Sequence, residues 1–168
     1  MSTSTKKHKL TISSTNDFDI VMTRAFNAPA RLVFEAWTKP EHVRRWLLGP
    51  DGWEMDVCEI DLRVGGTYRF HMRTFDGTDE MGFYGEYRAI EAPRHLANTE
   101  IFEEPYFEEM GSGTENTLDF TEKDGVTTQV QTSVYRTKEQ RDRALQTGME
   151  EGAAQSLDRL EELLQTLG

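Results

Sequence analysis

The sequence predicts an α+β fold in which one curved, mostly antiparallel sheet closes over a long C-terminal helix. Three observations carry this reading. The periodic segments run strand, two short helices, about six strands, then one long helix. Met149, Ala153, Leu157, Leu160, Leu164 and Leu167 recur at steps of three and four, an apolar stripe along one helix face. Glycines and a slip in the apolar phase of one strand supply the means of curving the sheet. Meandering antiparallel strands do not wrap helices as βαβ units do, so the long helix is buried most economically by one sheet bent around it.

The first strand spans Asp17 to Phe26, with Phe18, Ile20, Met22 and one of Ala25 and Phe26 turned inward. Asn27-Ala28-Pro29 opens a helix, since proline gives up no hydrogen bond near a first helical position, and Pro40 ends it. Leu32, Val33, Ala36 and Trp37 form its apolar side; a second short helix runs from Glu41 to Leu47. Gly49-Pro50-Asp51-Gly52 is a dense turn signal. Trp53, Met55 and Val57 alternate before the phase slips to Cys58, Ile60 and Leu62, which predicts a β-bulge near Val57-Cys58. Tyr68, Phe70 and Met72 share one face of the next strand, and Met81, Phe83, Gly85, Tyr87 and Ala89 one face of its successor. Leu96 to Phe102, Thr114 to Glu122 and Val126 to Tyr135 complete the meander. Thr137 and Gln140 have capping-box spacing; Gly148 and Gly152 lie inside the helical region, where each costs about 1 kcal/mol, offset by close packing against the sheet or by a break near Gly148.

Composition excludes several functions. Nineteen Lys and Arg face 30 Asp and Glu, a net charge of −11, which is not the footprint of a nucleic-acid binder. The lone Cys58 forms no internal disulfide and supports no thiolate cluster. With no run of about 18 apolar residues and no apolar leader, membrane insertion is not expected and a cytoplasmic protein is.

The chemistry-bearing residues point more to packing than to catalysis. His42, His71 and His95 fall opposite the aromatic positions, on the expected outer face, and no zinc-hydrolase spacing links them. Glu100, Glu103, Glu104, Glu108 and Glu109 read as a solvated charged loop, in preference to a cation site or a basic-partner patch, around Tyr106, Phe107 and Met110, which form a candidate lid hinged at Gly111-Ser112-Gly113. Glu35, Glu59, Asp61 and Glu86 supply carboxylates without a catalytic pairing, and no nucleophile-elbow motif is present. No catalytic residue, metal or cofactor is assigned. Trp46, at the end of a short helix before a Gly-Pro turn, is a candidate pocket residue, and flexible, polarizable Met72 and Met149 suit such a lining.

Ala28-Pro29-Ala30-Arg31-Leu32-Val33-Phe34-Glu35-Ala36-Trp37-Thr38, followed by Pro40-Glu41-His42, Arg45-Trp46 and Gly49-Pro50, resembles the opening of the activator of heat-shock-protein-90 ATPase homologue family. The resemblance continues through Asp61-Leu62-Arg63-Val64-Gly65-Gly66-Thr67-Tyr68-Arg69-Phe70, Gly85-Glu86-Tyr87-Arg88, Gly148-Met149-Glu150-Glu151-Gly152 and Ser156-Leu157-Asp158-Arg159-Leu160. It implies a helix-grip fold of the superfamily that holds START lipid-transfer domains and the birch-pollen allergen. A single domain over 16–168 would follow a flexible lead-in at 1–15. It also implies an internal apolar cavity. The leading expectation is a non-enzymatic binder of a small apolar or aromatic ligand such as a lipid, polyketide or flavonoid-like compound. Its lining is assigned to Trp46, Phe70, Met72, Phe83, Tyr87 and Met149. Beside it stand a module regulating a chaperone ATPase, as the family name implies, and a cavity enzyme such as a cyclase or hydrolase.

Overall fold

The computed structural model describes residues 8–104 and 113–168. Eight strands form one antiparallel sheet: β1 Thr11–Ser13, β2 Asp19–Phe26, β3 Trp53–Ile60, β4 Thr67–Thr74, β5 Glu80–Glu91, β6 His95–Phe102, β7 Thr114–Lys123 and β8 Val126–Tyr135. Their order across the sheet is β1-β2-β8-β7-β6-β5-β4-β3. The first long strand therefore pairs with the last, and the remaining strands meander away from it. Helices α1 (Ala30–Thr38) and α2 (Pro40–Trp46) link β2 to β3, the next-to-edge strand on one side to the edge strand on the other. Helices α3 (Lys138–Gln146) and α4 (Met149–Leu167) follow the sheet.

The curved sheet grips α4 as the apolar stripe requires. Leu157, Leu160, Leu163 and Leu164 are buried, and α4 also packs on α1 and α2. Gly148, at φ +78°, separates α3 from α4. Thr137 caps α3 by accepting from the Gln140 backbone N–H, but Gln140 Oε1 is buried without a partner, so the reciprocal half of the capping box is unmade. Pro29 begins α1 without a side-chain cap; the distant Glu122 carboxylate instead accepts from Ala30 N at 2.8 Å, placing negative charge where the helix exposes unpaired donors.

Four expectations are corrected. The lead-in is partly strand, since Thr11–Ser13 pairs with Val21–Thr23; the two short helices thus follow the second strand. The β3 bulge lies between Met55 and Val57, so Asp56 is the extra residue, earlier than the change of phase suggested. Phe18 precedes β2 and is 46% exposed, whereas Arg24, on the inward face with Ile20, Met22 and Phe26, is only 2% exposed. The fourth, Glu100, belongs to the site below. The outer face of the sheet carries His71 on Asp56 at 2.6 Å and Arg69 on Glu103 at 2.7 and 3.1 Å. His95 contacts Asp119 at 2.7 Å. The half-buried His42 keeps an Nδ1 with no hydrogen bond.

Buried Arg24 is tolerated because Asp158 of α4 meets its guanidinium at 2.8 Å and the Phe26 ring lies 5.2 Å beneath it. This pair ties the gripped helix to β2, the strand next to one edge of the sheet. Asp158→Ala is expected to cost about 2–3 kcal/mol, less than for a fully buried pair because water reaches the Asp158 side chain. Urea unfolding checks this, and an unchanged midpoint would show that solvent alone satisfies Arg24.

Candidate functional site

A cavity of about 450 Å³ lies between the concave face of the sheet and α4, a size ordinary for small-molecule sites. Alternation in β4 turns Tyr68, Phe70 and Met72 into it, and β5 adds Met81, Phe83 and Tyr87. These rings pack against one another: Phe70 and Phe83 meet edge to face at 5.6 Å, and Tyr68 and Tyr87 lie 5.4 Å apart. From the helical side come Trp37 and Trp46, whose centroids are 4.6 Å apart at 78°. Their indole N–H groups are already used, Trp46 donating to Ala36 O at 2.9 Å and Trp37 to Gln129 Oε1 at 2.7 Å. Both tryptophans therefore offer apolar surface to the cavity rather than donors. Helix α4 contributes Met149, Gly152, Ala153, Ser156 and Leu157.

Three wall residues are exposed to solvent, namely Pro50, Thr147 and Gly148, and they mark the mouth. The α2–β3 turn is clamped there onto α4. Gly49 N donates to Ser156 Oγ at 2.8 Å, Asp51 N to Gln155 Oε1 at 2.9 Å, and Arg159 reaches the Asp51 carboxylate at 2.8 Å.

One end of the cavity is polar, and a defect in the sheet makes it so. The β5–β6 ladder is interrupted opposite Gly85 and Glu86. Tyr68 reaches from β4 past Gly85 and donates its hydroxyl to Thr99 O at 2.6 Å; Asn98 Nδ2 donates to the same phenol oxygen at 2.9 Å. Beside them Glu100 projects from β6 into the cavity, on the same face as Leu96, Asn98 and Phe102. Burial pushes its carboxyl up to about 7, opposed by the neighbouring Asn116 amide. Burial and the nearby Glu100 hold the Tyr68 phenol far above its ordinary range, so it remains a neutral donor.

All six residues assigned from the sequence, Trp46, Phe70, Met72, Phe83, Tyr87 and Met149, lie on this wall. Glu100 is the functional candidate missed, and the solvated-loop reading of it is corrected. Glu103 faces outward onto Arg69, Glu104 is exposed, and Glu108, Glu109 and the candidate lid at Tyr106, Phe107 and Met110 lie outside the described residues. The period-two run Leu96, Asn98, Glu100, Phe102 was the signal that could have found it. Chemically, a carboxyl near 7 is suited to proton transfer, and among the described residues of the wall no His, Lys, Arg or Cys stands beside it.

A curved antiparallel sheet gripping a C-terminal helix, with a cavity between them, defines the helix-grip class of α+β protein. Within it, the chain belongs to the family described as Activator of Hsp90 ATPase homolog 1-like protein, which it matches over residues 27–165. Among solved structures, a Rhodobacter sphaeroides protein is similar at 24% identity and TM-score 0.85, over 94% of this chain and 99% of that one. A Staphylococcus epidermidis protein solved by NMR is 28% identical, with TM-score 0.78 over 94% and 95% of the two chains. The AHSA1 protein of Silicibacter pomeroyi matches at 19% identity and TM-score 0.70, over 89% and 99%. No curated protein matches the sequence. Among the described residues no helix is long and apolar enough to cross a membrane.

Proposed function

We propose that the protein binds a small apolar or aromatic molecule in its cavity and does not transform it. The observation that carries this reading is the 450 Å³ space walled by Trp, Tyr, Phe and Met side chains between sheet and helix. Apolar surface buried there contributes roughly 25 cal/mol per Å² before ordering costs. Methionine lets the wall adapt to more than one ligand shape.

The neutral fluorophore N-phenyl-1-naphthylamine tests it. A saturable, one-to-one rise in emission is expected, and Ala153→Phe, which fills the space beside α4, is expected to weaken binding at least tenfold while thermal unfolding stays cooperative. Emission that never saturates, or that is equal in both proteins, would refute the reading. Family membership supports a second one, regulation of a chaperone ATPase. The cognate chaperone's hydrolysis rate, measured with and without the protein, decides it; an unchanged rate ends it.

A further inference from the structure

The small-molecule reading leaves the polar end of the cavity unexplained, and the inference here rests on that reading. Among the described residues Glu100 has no basic partner. Among the described residues no Lys, Arg or His lines the cavity and no ion pair involves Glu100, and the 105–112 segment contains no Lys, Arg or His in its sequence. Its polar neighbours are the Asn116 amide, whose Oδ1 already accepts from Thr114 at 3.0 Å, and the Tyr68–Asn98 pair committed to Thr99. A carboxylate taken out of water without a counter-ion is unfavourable unless something else neutralises it. The same cavity wall carries the rings of Tyr68, Phe70, Phe83 and Phe102, and aromatic π-faces attract cations and repel anions. The acidic chain adds a field of the same sign.

We infer that the cavity selects a hydrophobic amine, its rings or chain among the aromatic residues and its ammonium group on the Glu100 carboxylate. The ligand supplies the positive charge that the wall lacks. Fatty acids and other apolar anions are disfavoured by the same arrangement.

Three probes sharing one ring system separate the terms: 2-(2-naphthyl)ethylamine, 2-(2-naphthyl)ethanol and 2-naphthylacetate, titrated calorimetrically at about pH 8. The amine is expected to bind about tenfold more tightly than the alcohol, and the carboxylate about tenfold more weakly. Glu100→Gln should erase the amine's advantage over the alcohol. Amine affinity should rise between about pH 6 and about pH 8 as Glu100 ionises. The other titratable groups facing it, Tyr68 of β4, Tyr87 of β5 and Tyr135 of β8, are phenols pushed up by burial; β7 and α4 present Asn116 and Ser156. An alcohol bound as tightly as the amine, a favoured carboxylate, or an amine preference that survives Glu100→Gln would overturn the inference while leaving the cavity a binder. Failure of all three probes, together with N-phenyl-1-naphthylamine, would overturn the small-molecule reading and this inference with it.

Discussion

Glu100→Gln is expected to stabilise the ligand-free protein by about 3 kcal/mol at pH 8 and to change it little at pH 4. The sign follows from the proton. In the folded protein the carboxyl titrates at about 7 because burial disfavours its charged form, while in the unfolded chain it titrates near 4.5. Between those values the folded state holds a proton that the unfolded state has released, so stability declines as pH rises through this window. Above it the full penalty of an ionised, poorly solvated carboxylate remains; below it both states are neutral. Glutamine keeps the shape without the charge. The difference between wild type and variant, followed by urea unfolding from pH 4 to 8, should therefore open through the window and then plateau. A constant difference at every pH would show that Glu100 is as well hydrated as a surface carboxylate. The variant matters for function too. A residue that destabilises the folded state at working pH yet sits on a cavity wall is what a binding role would retain, since a ligand cation removes the penalty only when bound. Loss of amine preference in a more stable protein cannot be ascribed to misfolding.

Why the sequence concealed Glu100 is instructive beside what it revealed. Tyr68, Phe70 and Met72 were legible because alternation and hydrophobicity agree: every second residue is large and apolar, and all three are buried. In β6 the two signals disagree. Alternation places Glu100 inward with Leu96 and Phe102, but its charge, and the glutamates that follow, argue for solvent. Arg24 failed in the same way, lying in phase with Ile20, Met22 and Phe26 and buried by a partner 134 positions away that no local pattern could supply. The grip itself was readable from the stripe on α4, whereas Gly148 left packing and a break equally open until the structure showed the break. The bulge at Asp56 was displaced by a residue or two because a phase slip shows only after the extra residue has passed. Both missed charges thus mark places where tertiary contacts override composition.

Gly85→Ala carries the other large effect, a loss of about 4 kcal/mol or more. A Cβ built at this position would lie 1.8 Å from Thr99 O, 2.6 Å from Thr99 C and 2.9 Å from Tyr68 Cε1. Two of those atoms belong to the β6 backbone, which cannot turn aside as a flexible side chain would. Either β6 shifts, or the buried Tyr68 ring leaves its place over the glycine. Moving β6 strains a packed sheet by about 1–3 kcal/mol; breaking the phenol's bond to Thr99 leaves buried polar groups unpaired at about 1–3 kcal/mol more. Glu86 N, which donates to Thr99 Oγ1 at 3.0 Å, would lose its partner in the same movement. Against a typical total of about 5–15 kcal/mol, that is enough to leave the variant marginal. Gly152→Ala is the contrast. Its new Cβ would approach Pro50 Cδ no closer than 3.3 Å, and alanine favours the interior of α4, so its stability should change by less than about 1 kcal/mol. Comparing the urea midpoints of the two variants separates a general intolerance of added methyl groups from a requirement at this one crossing. If Gly85→Ala unfolded at the wild-type midpoint, the Tyr68–Thr99 contact and the polar end built on it would have to be redrawn. If it fails as expected, one glycine explains both the interruption in the β5–β6 ladder and the place where the apolar cavity acquires its carboxylate.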